Sequence, residues 1–137
     1  MMKLLNDDIE MPIEDMYQLA DILYHSNILL TEYSTLMIEG AIFDLPIINV
    51  AMFNFRNTDK PASYYETYTH IKRILNTGAC KNAYTIDQIL NYIKMSLKNP
   101  SLEKNQRKML VNQEITTNKG IAGEIIGNYI VSQIIPN

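Results

Sequence analysis

Apolar positions change their spacing twice within the first fifty residues. In segment 12–24 they recur at helical spacing, and Pro12 suits the first turn of a helix. Segments 27–31 and 46–50 are short apolar runs, and both are typical of buried strands. Segment 36–43 between them is almost entirely apolar and contains no proline. It therefore predicts a buried helix.

A strand, a helix and a strand in such a short stretch form a compact βαβ unit. The two strands of such a unit run parallel, with a right-handed crossover. The pattern therefore predicts an α/β fold with a Rossmann-like parallel sheet and flanking helices. The polar and aromatic segment 51–70 predicts a long loop or a partly ordered excursion, and long loops in compact domains are often functional. Segment 71–80 fits either a short helix or a strand.

The C-terminal third has a clear helical pattern. Thr85 and Gln88 form a capping-box sequence ahead of the first helix. Asn99 and Pro100 suit the cap and the first position of the second helix. The predicted helices that close the fold are residues 86–98, 100–114 and 120–134.

Composition and charge limit the class of protein. With 137 residues, 47% of them hydrophobic, the chain can bury one core, so residues 1–137 are predicted to form a single domain. The net charge of −3, without any long block of basic residues, argues against nucleic-acid binding. A single cysteine excludes an intrachain disulfide and suits a reducing compartment, the cytoplasm. The sequence shows no signal pattern and no spanning apolar run, while peripheral membrane contact stays open.

A hydroxyl-rich patch, residues 31–35, separates the first predicted strand from its helix. In a parallel sheet the carboxyl ends of strands border the ligand crevice, and the next helix points unpaired N–H groups into it. Ser34 or Thr35 can cap this helix and hydrogen-bond phosphate oxygens. Glu39, one turn later, can accept hydrogen bonds from ribose hydroxyls. The patch therefore predicts a nucleoside-diphosphate site, although an ordinary N-cap and a surface glutamate would look the same.

Two groups of side chains near the predicted loop are further candidates for ligand contact. His70 and Arg56 could face a phosphate, and a solvated surface histidine is the alternative for His70. Tyr64, Tyr65 and Tyr68 could stack on a base or a sugar, or they could cover the edge of the sheet. The residues alone leave these alternatives open.

The remaining reactive or charged residues are interpreted as structural. His25 would complement the negative end of a helix dipole, and Cys80 is expected to be a partly buried, unreactive thiol. Lys104, Arg107 and Lys108 are expected to form a solvated helix face with a weak attraction to anionic membranes. We predict no metal site and no cofactor, since no set of residues has metal-ligand spacing.

A longer stretch resembles a known family. YQLADILYHSNILLTEYSTLMIEGAIFDLPIINV, residues 17–50, resembles the C-terminal nucleotide-binding domain of glycosyltransferases with the two-domain B-type fold. It is most similar to the CDP-glycerol glycerophosphotransferases and related surface-polysaccharide transferases. It is similar at lower specificity to UDP-N-acetylglucosamine 2-epimerases. The shared series is a helix with LAD, a strand ending near TEYST, a helix with an acidic residue and the strand PIINV. The later segments YTIDQILNYIKMSLKNP and QRKMLVNQEITTNKGIAGEIIGNYI resemble the helices that close that domain.

The resemblance implies one half of a B-type fold and a set of donor contacts. Ser34 and Thr35 would contact the donor pyrophosphate, and Glu39 would contact the ribose. The donor is a substrate, not a cofactor. Glu32 stands where the glycerophosphotransferase pattern has aspartate, which favours a glycosyl donor over CDP-glycerol. The complete set of implied nucleotide contacts is Thr31, Tyr33, Ser34, Thr35 and Glu39.

B-type transferases bind donor and acceptor between two domains, and the acceptor domain would precede residue 1. We therefore expect a transferase fragment of cell-surface polysaccharide synthesis that binds its donor but does not turn over alone. Its catalytic residues are not identified. Its partners would be an N-terminal domain, another chain or a second copy, in the cytoplasm or at the inner face of the membrane. The alternatives are a non-catalytic interaction module with the same fold and an epimerase-like fragment.

Overall fold

The computed structural model describes residues 12–54, 58–115 and 120–134 of the chain. Three strands are present in these ranges: β1 (Leu29–Thr31), β2 (Ile47–Val50) and β3 (Cys80–Ala83). The α-helices are α1 (Ile13–His25), α2 (Leu36–Ile42), α3 (Thr69–Asn76), α4 (Ile86–Lys98), α5 (Lys104–Glu114) and α6 (Ala122–Ile134). A 3₁₀ helix, Ala62–Thr67, precedes α3.

The three strands form one parallel sheet in the order β1–β2–β3. This confirms the predicted α/β fold with a parallel sheet and flanking helices. Segment 71–80 was predicted to be either a short helix or a strand. It contains the greater part of α3 and the start of β3. Gly78 lies between them at φ 71°, a conformation that glycine adopts without steric cost.

The hydrophobic core lies between one face of the sheet and the helices α2, α3 and α5. Leu29 and Ile47 supply the sheet side, and Gly40 lets α2 approach them closely. The helices contribute Met37, Ala41, Ile71, Ile74 and Leu110. Ile48 and Ala83 point to the opposite face, and neither has any exposed surface. That face is covered as well, since α4 packs against β2 and β3.

Segment 51–70, predicted to be a long loop or a partly ordered excursion, is ordered over its second half. The structure has the 3₁₀ helix there, followed by the start of α3. Ala62 is completely buried in the core, and Tyr65 and Tyr68 pack against the same cluster. Apolar contact with the core therefore orders this part of the segment.

The capping box at the start of α4 is confirmed. The backbone N–H of Gln88 donates to Thr85 Oγ1 at 3.2 Å, and Gln88 Oε1 accepts from the backbone N–H of Tyr84 at 2.7 Å. The hydrogen bond to the glutamine side chain thus comes from the residue before the cap, Tyr84, and not from the cap residue Thr85.

The predicted start of α5 at Pro100 is wrong, because the helix begins at Lys104. Asn99 caps no helix there. Its Oδ1 accepts from the backbone N–H of Ser101 at 3.2 Å and closes a turn. Glu103, at φ 56°, then redirects the chain into the helix.

The predicted solvated face of α5 is wrong for Arg107. This side chain is 1% exposed, and its Nε donates to Asp44 Oδ1 at 2.8 Å. Its other nitrogens donate to the carbonyl oxygens of Pro100 and Leu102. These bonds hold the turn before α5 and join it to the end of α2. Lys108 on the same helix is exposed, as predicted.

Asp44 also lies 3.1 Å from Lys104 Nζ. Burial alone would raise the pKa of the Asp44 carboxyl. The hydrogen bonds and charges of Arg107 and Lys104 outweigh burial and lower this pKa. Asp44 is therefore ionised at neutral pH and compensates the buried guanidinium.

Helices α1 and α6 contribute little to the core. Leu23 is the only buried residue of α1, and no residue of α6 is buried. The exposed large apolar side chains of α6 are Ile125, Ile126, Tyr129, Ile130, Val131 and Ile134. Within the described ranges, none of the helices could cross a bilayer, being too short or too polar.

Replacing Arg107 tests its structural role. Arg107→Leu should lower the free energy of unfolding by about 3 kcal/mol, because two carbonyl groups and one carboxylate lose their charged donor. Lys108→Leu, an exposed neighbour on the same helix, should change it by about 0.5 kcal/mol or less. Urea denaturation of both variants provides the measurement. Equal small effects would mean that Arg107 is not a structural cation.

Candidate functional site

A row of polar side chains crosses the sheet at the carboxyl ends of its strands. Strand register pairs Thr31 with Asn49, and Asn49 with Asn82. Two positions earlier, on the same face of the sheet, the paired residues are Leu29, Ile47 and Cys80. This face therefore changes from apolar to polar at the edge where parallel sheets bind ligands.

Asn49 is the centre of this row and is completely buried. Its Oδ1 accepts from the backbone N–H of Tyr33 at 2.7 Å, and its Nδ2 donates to Asn82 Oδ1 at 2.9 Å. A buried amide without partners would cost about 1–3 kcal/mol, whereas here both ends of the amide are bonded. Asn49 thus joins the carboxyl ends of all three strands.

Tyr33 makes the turn between β1 and α2 in a left-handed backbone conformation, with φ 39°. This conformation costs a residue with a side chain about 1–2 kcal/mol. Its ring is buried and stacks on Tyr65, with 5.3 Å between the ring centroids. Its hydroxyl donates to Glu66 Oε1 at 2.7 Å. Packing and hydrogen bonds from both sides therefore hold the strained turn.

Glu66, on the 3₁₀ helix, accepts hydrogen bonds from residues in or next to the two outer strands, β1 and β3. Oε1 accepts from the Tyr84 hydroxyl at 3.0 Å and from Asn82 Nδ2 at 3.4 Å, in addition to Tyr33. Asn82 Nδ2 also lies 3.2 Å from the Tyr84 hydroxyl oxygen. We call the five residues Tyr33, Asn49, Glu66, Asn82 and Tyr84 the edge network.

Burial, with Glu66 adding to it, raises the pKa of both tyrosines. Burial and then the hydrogen bond and charge of Glu66 raise the pKa of Tyr33 above its ordinary range. Burial is also the main cause that raises the pKa of Tyr84; Glu66 adds to it, and the Asn82 hydrogen bond opposes it. Both hydroxyls therefore donate to Glu66 at neutral pH.

Ser34 and Thr35, the predicted phosphate contacts, lie at the start of α2. The backbone N–H of Leu36 donates to Ser34 Oγ at 3.1 Å. Thr35 occupies the cap position, yet its exposed side chain makes no capping hydrogen bond. Of the two predicted caps, Ser34 is the one that accepts a hydrogen bond. Tyr33 lies on the same connection and Thr31 is the last residue of β1, so four of the five predicted nucleotide contacts lie within residues 31–35.

Glu39 lies apart from these four residues. It is half-buried and borders a groove between α1 and α2. The other residues that line this groove are Met16, Leu19, Ala20, Leu23, Ile42 and Phe43. No member of the edge network borders the groove. The predicted ribose contact thus lies on an apolar surface beside the site.

The candidates near the predicted loop are dispersed. His70 is exposed and stacks on Tyr68, with 6.0 Å between the ring centroids. Arg56 lies outside the described residues. Tyr65 covers the edge of the sheet by stacking on Tyr33, whereas Lys60 Nζ lies 3.9 Å from the ring centroid of Tyr64. The structure therefore supports edge covering for Tyr65 and does not join His70 to the edge network.

Two predictions for reactive residues can be compared with the structure. Cys80 is partly buried, as predicted, and burial raises the pKa of its thiol to about 12. Its predicted lack of reactivity stays a prediction. His25 is the last residue of α1, as predicted. Among the described residues, no three His, Cys, Asp or Glu side chains are grouped so that they could hold a metal ion.

Sequence analysis missed four residues of the edge network: Asn49, Glu66, Asn82 and Tyr84. Asn49 left a signal, because it is the only polar residue within the apolar run PIINV. Glu66 left none, since it lies 33 positions from Tyr33 and meets it only through the fold.

No protein-family model matches the chain, and the comparisons with curated proteins and with solved structures gave no match. The resemblance to B-type transferases therefore stays a prediction.

The raised tyrosine pKa values predict an alkaline transition. Above about pH 10 the unfolded chain ionises Tyr33 and Tyr84 while the folded chain resists, so the free energy of unfolding should fall as the pH rises. Tyrosinate absorbance of the folded protein, with circular dichroism to show that it stays folded, provides the measurement. Tyr33→Phe should leave the absorbance that develops near pH 10 unchanged, because Tyr33 stays protonated there. Loss of one tyrosine's absorbance in this variant would contradict the edge network.

Proposed function

We propose that the chain binds a nucleoside diphosphate at the carboxyl edge of its sheet, as the donor half of a B-type glycosyltransferase or polyol-phosphate transferase. The observation that carries this proposal is the polar row of Thr31, Asn49 and Asn82 across the ends of the three parallel strands. Asn49 in this row is buried and fully bonded, so the row supports the β1–α2 turn rigidly and the turn itself presents hydrogen-bonding groups to a ligand. The resemblance of residues 17–50 to the donor domain of these transferases supports the same assignment.

The connection from β1 to α2 supplies donors for phosphate oxygens. No described residue accepts a hydrogen bond from the backbone N–H groups of Ser34 and Thr35. The Thr35 hydroxyl adds a third donor beside them. Three neighbouring donors on a turn held by Tyr33 suit a pyrophosphate, whose oxygens are acceptors only. In a transfer reaction they would stabilise the charge that develops on the leaving nucleotide.

Glu39 is the proposed ribose contact by resemblance. It lies one helical turn after Thr35, so a nucleotide that reaches from the turn into the groove between α1 and α2 would meet its carboxylate. The apolar walls of that groove would then contact the base. A nucleotide in this position links the β1–α2 turn with the groove.

A second candidate function is an interaction module that binds another chain. The observation that favours it is the exposed apolar surface of α6, which has no buried residue and one charged residue, Glu124. Exposed apolar surface of this kind is typical of protein interfaces. A partner domain of a B-type transferase or a second copy of this chain would cover it.

Isothermal titration with UDP, CDP, GDP and their monophosphates tests the donor site. One diphosphate should bind saturably, and its monophosphate should bind more weakly because it presents fewer oxygens to the turn. The double variant Ser34→Ala, Thr35→Ala should weaken binding by about tenfold or more, since it removes the Thr35 hydroxyl donor and the Ser34 oxygen that accepts from Leu36 and holds the turn. Ser101→Ala, a hydroxyl removed on the turn before α5, should bind like the wild type.

The Glu39 assignment has its own test in the same titration. Glu39→Gln should weaken binding of the preferred diphosphate while the melting temperature changes little. Unchanged binding would remove Glu39 from the site. If no nucleotide binds and sedimentation shows a concentration-dependent dimer, the interaction module replaces the donor site.

A further inference from the structure

Among the described residues, only one of the two carboxylate oxygens of Glu66 accepts hydrogen bonds. Oε1 receives the hydrogen bonds of Tyr33, Asn82 and Tyr84. No described residue donates to Oε2. Every buried side-chain nitrogen or oxygen among the described residues has a hydrogen-bond partner. Oε2 is therefore not one of these buried atoms and is accessible from outside.

The charge of Glu66 has no cationic partner among the described residues. Their ion pairs involve Asp44, Glu103 and Glu114, and none involves Glu66. The two phenol hydroxyls and the Asn82 amide supply hydrogen bonds without a positive charge. A carboxylate held in this way keeps its acceptor strength on the second oxygen, and its direction is fixed before any ligand arrives.

The position of Glu66 selects the ligand group that it would meet. Tyr33 connects it directly to the turn whose N–H donors face the proposed pyrophosphate. A carboxylate close to a phosphate repels it unless the ligand places hydrogen-bond donors between the two charges. Vicinal hydroxyl groups are such donors, and a nucleotide with a sugar or a polyol carries them.

We propose that Glu66 Oε2 accepts hydrogen bonds from the vicinal hydroxyls of the bound ligand and thereby selects polyhydroxylated ligands at the carboxyl edge of the sheet. The proposal rests on the proposed donor site and adds its hydroxyl-recognition residue. The hydroxyls have two sources: the transferred sugar or polyol, where Glu39 holds the ribose, and the ribose itself, where the nucleotide lies outside the groove of Glu39. Glu66 would accept hydrogen bonds from either kind of hydroxyl, so the experiment tests the two sources separately.

Glu66→Gln tests the role of Oε2, because it replaces one carboxylate oxygen and keeps the other. The glutamine carbonyl can still accept from Tyr33 and Tyr84, while the amide group replaces the charged acceptor with a neutral donor. Affinity is measured for UDP, 2′-deoxy-UDP and UDP-glucose, or for the corresponding compounds of whichever base binds. In the ribose arm, the wild type should prefer UDP over 2′-deoxy-UDP by about tenfold, and the variant should lose this preference. In the transferred-group arm, the advantage of UDP-glucose over UDP should disappear instead.

Glu32→Gln is the matched control, because it removes an exposed carboxylate from the same β1–α2 connection. It should change all three affinities by a common factor through charge alone and leave their ratios unchanged. A melting temperature and tyrosine titration like those of the wild type would show that Glu66→Gln keeps the edge network.

The outcomes separate this proposal from the donor site. If the nucleotides bind and Glu66→Gln leaves both ratios unchanged, the donor site stands and the role of Glu66 is overturned. If no nucleotide binds but glycerol 3-phosphate or glucose 1-phosphate does, and Glu66→Gln removes that binding, the hydroxyl role stands without the nucleotide. If none of these compounds binds, both proposals are overturned.

Discussion

The buried amide of Asn49 is the interaction on which the polar edge of the sheet depends. It holds the backbone of Tyr33 on one side and the side chain of Asn82 on the other. Through Tyr33 it fixes the strained turn that begins α2, and through Asn82 it reaches Glu66 on the 3₁₀ helix. An apolar residue at this position would leave a buried N–H without an acceptor. The same amide therefore determines both the end of the sheet and the geometry of the candidate site.

The proposed site combines two kinds of groups, which the side chain of Tyr33 connects. The turn at Ser34 and Thr35 offers donors, which suit phosphate oxygens. Glu66 offers an acceptor, which suits hydroxyls. A ligand that carries both phosphate and hydroxyl groups would satisfy the two sets together, and a nucleoside diphosphate with its sugar is such a ligand. The exposed apolar helix α6 lies outside this arrangement and is the surface that we propose for a partner domain or chain.

Local patterns predicted the elements better than the contacts between them. The βαβ unit and the capping box of Thr85 follow from spacing alone, and the structure confirms both. The start of α5 does not, because the turn before it depends on Arg107, a residue that reaches back to Asp44 across 63 positions. Arg107 lies three and four residues before Leu110 and Val111, which pack in or against the core, so its burial could have been inferred from helical spacing.

In the candidate site, too, the residues marked by a local pattern could be predicted and those that depend on distant contacts could not. Ser34 and Thr35 are recognisable because they fall between a strand and a helix in the sequence. Asn49 gave a weaker signal as one polar residue in an apolar strand, and Glu66 gave none. Glu66 can be recognised only from the fold, which brings its carboxylate within hydrogen-bonding distance of Tyr33, Asn82 and Tyr84. Residues that act through distant partners therefore require the structure.

Amide NMR of the ¹⁵N-labelled chain during titration with UDP, CDP or GDP shows whether a nucleotide binds at the carboxyl edge of the sheet. Ligand binding at the carboxyl edge should shift the amides of Ser34, Thr35, Glu66 and Tyr84 together, with saturation at a common concentration. The amide signals of α4 and α5 should not shift. Shifts confined to α6, or to the groove between α1 and α2 without the edge network, would contradict the account.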